Sequence, residues 1–347
     1  MAECWPVAPI HTLLYDEQGT WRRFAGRSVR TSPLQRLGAT QRSFRRLLPL
    51  FPLAAQRLPV GDHKLIVSSS SAFAHGVRPA PGAVHVCYCH SPFRYVWHER
   101  ELAIAEVPRA ARPALGPVLD RIRRWDLEAS KRVTHYIANS QITQERIAEF
   151  YGRESVIVHP PVQVDRFQLA EPEDWFLIVT EVVRHKRVEV ALEAARREGR
   201  KITVVGTGPD LERLQGAYAG TATFLGRVDD DELASLYARA RALVVANVEE
   251  FGIAAVEAQA AGRPVLAADA GGARETVIEG ETGYRVAVGD VEALADAMAD
   301  PAAESLDPAA IVANARRFSP ENFRSRLIEE VRRATVSGLP VRTVSDH

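Results

Sequence analysis

The residues with the richest chemistry run together in Ala246-Asn247-Val248-Glu249-Glu250-Phe251-Gly252-Ile253-Ala254-Ala255-Val256-Glu257. An apolar strand ends there, a short loop carries two acids and a glycine, and the pattern predicts a helix starting near Gly252. Backbone N–H groups at a helix start lack intrahelical partners and, with the helix dipole, can receive a diphosphate. Glu249 falls in the loop. Glu257 falls about one turn and a half into the helix, placed to accept hydrogen bonds from sugar hydroxyls. The plainer alternative is a solvated loop acid beside a helix-surface acid.

Other polar groups divide between chemistry and structure. His90 ends a candidate strand, where it can act or merely pack. Gly206-x-Gly208 follows a strand and is a weak phosphate-loop signal, since a tight strand–helix turn explains it nearly as well. Cys87 and Cys89 alternate onto one face of a strand without a second ligand cluster, so buried thiols are expected and no metal site. Asp229-Asp230-Asp231-Glu232 sits at a helix start, where acids complement the dipole, and capping is preferred to cation binding.

These residues need a scaffold. In the second half, apolar runs at WFLIVT (175–180), ITVV (202–205), ATFL (222–225), ALVVA (242–246) and PVLAA (264–268) alternate with helical patterns. That rhythm predicts βαβ units and a parallel sheet covered on both faces. Ser319-Pro320-Glu321 reads as a cap, first position and first-turn acid of a final helix, with the last nine residues frayed. The first half has candidate strands at 10–15, 64–69, 84–89, 134–139 and 155–160, and helices at 33–57, 114–130 and 141–150. Pro160-Pro161 is expected to link two domains. The expectation is therefore α/β, with two doubly wound domains facing across a cleft and ligand at the carboxyl ends of both sheets.

Composition fits. The 347 residues suggest two domains, and 46% apolar with 25% charged residues excludes disorder and fibrous repeats. No stretch of about 18 apolar residues is present, so no membrane span is predicted. MAECWPVAP lacks the basic-then-apolar pattern of a signal peptide, and three cysteines make no disulfide framework; the cytoplasm is the expected compartment. The zero net charge hides an asymmetry. Residues 1–170 hold 23 Lys and Arg against 14 Asp and Glu, and the remainder 21 against 30. The first half is thus built to meet something anionic. Its segment 41–58, with Arg42, Arg45, Arg46 and Arg57 beside Phe44, Leu47, Leu48, Leu50, Phe51 and Leu53, has the composition of an interfacial helix on anionic lipid. A self-packed helix with a solvated basic face is the alternative. Nucleic acid is not an expected partner, because stacking aromatics are not interleaved with the arginines.

The acidic loop resembles the Glu-x7-Glu signature of retaining family 4 glycosyltransferases, which have the GT-B fold of two Rossmann-like domains. Further matches follow in order: YCHSPFRYVWHE (88–99), IANSQITQERIAEFYG (137–152), VIVHPPVQVDRF (156–167), VVRHKRVEVALEAA (182–195), VVGTGPDLERLQ (204–215), FLGRVDDDELASLYARA (224–240) and AAGRPVLAADAGGARETVIEGETGYRV (260–286). The resemblance implies an acceptor-side domain over 1–163, a nucleotide-sugar domain over 164–320, and a returning helix with the tail over 321–347. It also implies roles. Glu249 would contact the donor sugar, and the amides of Phe251, Gly252 and Ile253 the pyrophosphate. Glu257 would hold the ribose. Lys186, with Arg184 or Arg187 and the Gly206–Gly208 turn, would hold the diphosphate. His90 would lie beside the reacting sugar, and Arg227 and Val228 would flank the base. A departing diphosphate does need a cation, and an oxocarbenium-like sugar is helped by nearby polar oxygens.

The implied reaction moves mannose from GDP-mannose to a glycan or lipid-linked acceptor with retention, at the inner face of a membrane. No cofactor is implied beyond this donor substrate. Two departures stand out. Thr180-Glu181-Val182-Val183-Arg184-His185-Lys186 has Glu181 where many relatives carry arginine ahead of the lysine. Relatives also open with a strand, a Gly-Gly loop and a helix, whereas Ile10 already starts a strand here. The expectation is a chain lacking that unit, with neighbouring strands left unpaired and catalysis poor. An inactive GT-B binding or scaffold protein is the competing reading.

Overall fold

A computed structural model describes residues 1–20, 22–37 and 44–337. Arg42 and the last nine residues, for which an interfacial role and fraying are expected, lie outside them. The chain divides into two compact units, Met1–Val158 with the chain from Arg324 onward, and His159–Phe323.

The first unit contains β1 (Ile10–Thr12), β2 (Val29–Thr31), α1 (Phe51–Gln56), β3 (Leu65–Ser70), β4 (Val84–Cys89), α2 (Arg100–Glu106), α3 (Arg112–Ser130), β5 (His135–Ala138), α4 (Gln141–Tyr151) and β6 (Ser155–Ile157). Its strands form two separate parallel sheets, β1-β2 and β3-β4-β5-β6. The helix predicted over 33–57 is not continuous. Short 3-10 turns at Pro33–Leu37 and Phe44–Leu50 precede α1, because Pro49 and Pro52 lack the N–H groups a longer helix needs. Phe51 is buried in the core and Leu47 and Leu48 pack against it, while Leu50 and Leu53 are exposed. The apolar residues described over 47–58 thus do not share one outward face.

Side chains tie the layers of this unit together. Asp126 on α3 is fully buried, and its Oδ2 accepts from Trp97 Nε1 at 2.7 Å and Tyr151 Oη at 2.8 Å. His75 Nε2 lies 3.2 Å from the other oxygen. Burial pushes the Cys87 thiol up to about 12, which makes it an inert core group.

The second unit contains β7 (Trp175–Val179), α5 (Val188–Arg197), β8 (Lys201–Val205), α6 (Leu211–Ala217), β9 (Ala222–Gly226), α7 (Asp230–Arg239), β10 (Ala242–Val245), α8 (Ile253–Ala260), β11 (Val265–Ala268), α9 (Ala273–Thr276), β12 (Gly283–Val286), α10 (Val291–Ala299) and α11 (Pro308–Arg316). Six parallel strands run in the order β12-β11-β10-β7-β8-β9. The chain therefore winds outward from β7 in one direction and from β10 in the other. Apolar clusters cover the sheet, one centred on Leu177, Leu243 and Val265 and the other on Phe176, Ile202 and Leu266. α12 (Pro320–Ser337) starts in this unit and continues into the first, with Ser319 Oγ accepting from Asn322 N–H at 3.3 Å as its cap. Among the described residues no helix is long and apolar enough to cross a membrane.

Candidate active site

Ligands of doubly wound sheets bind where the winding reverses, beyond the carboxyl ends of the strands. In the second unit that point lies between β7 and β10. The loop after β7 carries Glu181, Arg184, Lys186 and Arg187, and the loop after β10 carries Asn247, Glu249 and Phe251. The two loops meet. Lys186 Nζ donates to Glu249 Oε1 at 2.7 Å, both side chains being about three-quarters covered. Asn247 Nδ2 donates to the same oxygen at 2.9 Å. Sequence reasoning missed Asn247, although an amide closing an apolar strand was visible there.

Backbone packing fixes both loops. Gly206 and Gly208 serve the first: a Cβ on Gly206 would lie 1.8 Å from the Thr180 carbonyl oxygen, and one on Gly208 2.1 Å from that of Val182. Their glycine identity is therefore explained by the approach of two main chains beneath the Lys186 loop, the structural alternative weighed above. Gly272 serves the second loop. Its N–H donates to the Glu249 carbonyl at 2.9 Å, and a Cβ there would meet the Phe251 carbonyl at 2.1 Å.

Gly252 caps α8 with φ +88°, a conformation open to glycine. The first helical bond runs from Ala255 N–H to the Gly252 carbonyl, so the amides of Phe251, Gly252 and Ile253 precede the helical ladder. Phe251 is buried, its ring centroid 5.5 Å from that of His159 and tilted 30° to it, and His159 Nε2 contacts Glu275 at 2.9 Å. This anchor holds the start of α8 in place.

Glu257 lies on α8 and accepts from Tyr237 Oη at 2.9 Å. Burial raises its pKa, with the Tyr237 bond opposing the shift. Tyr237, on α7, carries no spacing signal in the sequence. Arg184 is exposed and 3.9 Å from Asp210, and Arg187 adopts a left-handed φ of +51°, rare for a residue with a side chain. Both line a cavity of about 600 Å³ with Glu189, Asp210, Arg213 and Gly289. Arg227 and Val228 follow β9, with Val228 packed on the core. Asp229 caps α7, accepting from the N–H groups of Asp231 and Glu232.

His90 belongs to the first unit, at the end of β4. Its Nε2 contacts Ser69 Oγ at 2.8 Å, its N–H donates to the Ser70 carbonyl at 2.8 Å, and Thr143 Oγ1 donates to its carbonyl at 3.1 Å. Burial lowers its pKa, favouring the neutral ring. The structure thus joins Lys186 to Glu249 directly, and places Glu257 on the helix that the Glu249 loop leads into.

Comparison with known proteins agrees with this architecture. Residues 14–166 match the family described as Glycosyltransferase Family 4, and residues 161–318 the one described as Glycosyl transferases group 1. The chain is 33% identical over 208 residues to a D-inositol 3-phosphate glycosyltransferase of Mycobacterium avium, covering 51% of this chain and 49% of that protein. It is 28% identical over 220 residues to a GDP-mannose-dependent alpha-(1-6)-phosphatidylinositol monomannoside mannosyltransferase of Mycolicibacterium smegmatis, covering 54% and 58%. The chain thus spans about half the length of these curated relatives. Among solved structures, sucrose-phosphate synthase from Thermosynechococcus elongatus superposes with a TM-score of 0.70 at 19% identity, covering 89% of this chain and 84% of that one. On the two family matches and this two-unit parallel architecture, the chain belongs to the family 4 glycosyltransferases of the GT-B fold.

Proposed function

We propose that the chain is a retaining glycosyltransferase that moves a mannosyl group from GDP-mannose to a glycan or lipid-linked acceptor. The observation that carries the reading is the Lys186–Glu249 contact of 2.7 Å at the winding reversal, beside the open amides that begin α8. As the bond from the sugar to the diphosphate breaks, negative charge builds on the leaving oxygens. Lys186, aided by Arg184 and Arg187, offsets that charge, and the amides of Phe251, Gly252 and Ile253 add oriented dipoles. A diphosphate competes with Glu249 for the Lys186 ammonium. Donor entry therefore frees the Glu249 carboxylate for the sugar hydroxyls. Glu257, oriented by Tyr237, accepts from the ribose, and Arg227 and Val228 border the base. His90 serves the acceptor side, and attack on the face that diphosphate leaves gives retention.

GDP-mannose is favoured by the printed name of the Mycolicibacterium relative, and a lipid-linked acceptor by the phosphatidylinositol in that same name. Exposed Leu50, Leu53 and Arg57 support peripheral contact with anionic lipid at the cytoplasmic face. One feature favours the second reading, a GT-B protein that binds without transferring: exposed Glu181 places negative charge beside the phosphate loop. Calorimetric titration with GDP-, UDP- and ADP-sugars, alongside product analysis, separates the two. Lys186→Ala is expected to weaken GDP-mannose binding about tenfold or more, the loss of one charged hydrogen bond. Unchanged affinity in that variant overturns the site. Binding without transfer or donor hydrolysis in the parent chain establishes the scaffold reading.

A further inference from the structure

β3 closes on a run of serines, Ser68-Ser69-Ser70-Ser71. Serine is not among the residues that favour strands, so the run calls for another cause. Each of the first three serines holds a different histidine. Ser68 Oγ lies 2.8 Å from His85 Nε2, Ser69 Oγ 2.8 Å from His90 Nε2, and Ser70 Oγ 3.2 Å from His75 Nδ1.

The strand pleat divides these pairs. In the parallel ladder Ser68 stands beside Cys87, Ser69 beside Tyr88 and Ser70 beside Cys89. Ser68 and Ser70 therefore share one face, and Ser69 shares the other with Tyr88 and His90. On the first face Ser68, Ser70, His75 and His85 are all buried. Burial pushes His85 down to about 3, which keeps it a neutral core group. These two pairs satisfy polar groups inside the first unit.

The third pair differs, because Ser69 is exposed. The His90 ring stands edge-on to that of Tyr88, with centroids 5.1 Å apart, and its main chain is tied to Ser70 and Thr143. Its Nδ1 has no hydrogen-bond partner among the described residues and is not sealed in the core. A neutral imidazole has one N–H and one lone pair, and the hydrogen bond made at one nitrogen decides which of them the other carries. The Ser69 hydroxyl has one hydrogen, and Nε2 is its one partner among the described residues.

We propose that Ser69 is a positioning residue for sugar transfer: its O–H donates to His90 Nε2, which fixes the ring proton on Nδ1 and presents that N–H to substrate oxygens on the acceptor side. The inference rests on the glycosyltransferase reading above, in which His90 serves that side. It makes His90 a hydrogen-bond donor rather than a base. Negative charge builds on oxygen as the bond from sugar to diphosphate breaks, so a preorganised donor helps where a lone pair would not. Without the Ser69 hydroxyl the ring divides between two tautomers, and part of the population offers a lone pair instead.

The test joins spectroscopy to kinetics on the full chain. Nitrogen-15 spectra of the imidazoles, with His90 assigned by its loss in His90→Gln, are expected to show a protonated Nδ1 in the parent and in Ser69→Thr. Ser69→Ala should show an average of two tautomers. GDP release from GDP-mannose over phosphatidylinositol vesicles reads the reaction. Ser69→Ala is expected to lower kcat about tenfold with the donor KM changed less than about twofold, as for a contact made only in the transition state. Ser69→Thr keeps the hydroxyl and should keep the parent kcat. Ser68→Ala is the control for a purely structural serine: it unpairs buried His85, so Tm should fall while kcat holds. A parent ring protonated on Nε2, a parent kcat in Ser69→Ala, or an equal loss of kcat in Ser68→Ala overturns the inference. A parent chain that releases no GDP overturns the function proposed above, and the spectra then decide Ser69 by themselves: a tautomer lost in Ser69→Ala supports its hold on His90, and an unchanged one overturns it.

Discussion

The two units use the same parallel β/α grammar and complete it differently. In the second, six strands make one sheet, and β7 and β10 pair directly where the winding reverses. In the first, β1 and β2 form one parallel sheet and β3 to β6 another, and among the described residues no strand joins the two. The closed sheet places its functional loops by main-chain contact: Gly206, Gly208 and Gly272 sit against carbonyls within about van der Waals contact distance, leaving no room for a Cβ. The split unit instead relies on buried side chains, chiefly Asp126 with Trp97, Tyr151 and His75. Where the ladder is continuous, the backbone holds the site. Where it is broken, specific polar side chains take over.

The largest effect expected from this contrast is at Asp126. Asp126→Ala leaves the Trp97 N–H and Tyr151 O–H buried and unpaired, a cost of about 2–5 kcal/mol. Chemical denaturation followed by Trp97 environment should show the first unit failing first. The spectroscopic signature of the second unit should survive. Loss of both units together, or a change below about 0.5 kcal/mol, breaks the contrast.

Gly272→Ala tests the other half of it. A methyl group must displace the Phe251 carbonyl, and overpacking of this kind costs about 1–3 kcal/mol. Because the displaced segment carries Glu249 and the α8 amides, donor affinity should fall with stability. An unaltered GDP-mannose titration would show that the loop is not held by its backbone. Asn247→Ala is a milder probe of the same loop. It removes one neutral donor to Glu249, so a two- to fivefold loss of donor binding is expected, roughly 0.5–1 kcal/mol. A loss equal to that of Lys186→Ala would put Asn247 on the ligand itself.

Much of this was legible beforehand, for physical reasons that differ by region. The strands at 175–180 and 242–246 could be read because buried parallel strands are runs of apolar, β-branched residues. Lys186 and Glu249 could be paired because such strands deliver their loops to one edge. β2 (Val29–Thr31) and β12 (Gly283–Val286) were missed: each carries an arginine, Arg30 or Arg285, inside a short strand, which breaks the apolar run. The helix expected over 33–57 failed because its leucines and arginines have helical composition while Pro49 and Pro52 forbid the ladder. Tyr237 carries no signal in the sequence because its importance comes from tertiary approach alone. The strand at Ile10 is legible as an apolar run, and among the described residues β1 and β2 form a sheet separate from β3 to β6.

The smallest expected effect concerns Glu257, and it turns on sign. Burial raises its folded pKa above the unfolded value, so across the interval between the two the native state binds more protons than the unfolded chain. Stability contributed by this group is therefore present at low pH and lost as pH rises from the ordinary carboxylate value through the raised one. That is opposite to a salt-bridged acid. Above the raised value the charged Glu257 is a burden on the second unit, eased by the Tyr237 hydroxyl at 2.9 Å. Glu257→Gln keeps the shape and removes the charge. Its Tm should exceed that of the parent chain near pH 7, and the difference should shrink as the pH is lowered toward 4. Donor binding should move the opposite way, because a neutral amide oxygen is the weaker acceptor for ribose hydroxyls. A variant less stable than its parent at pH 7, or one that binds donor as well, would mean that Glu257 is held for packing rather than for a ligand.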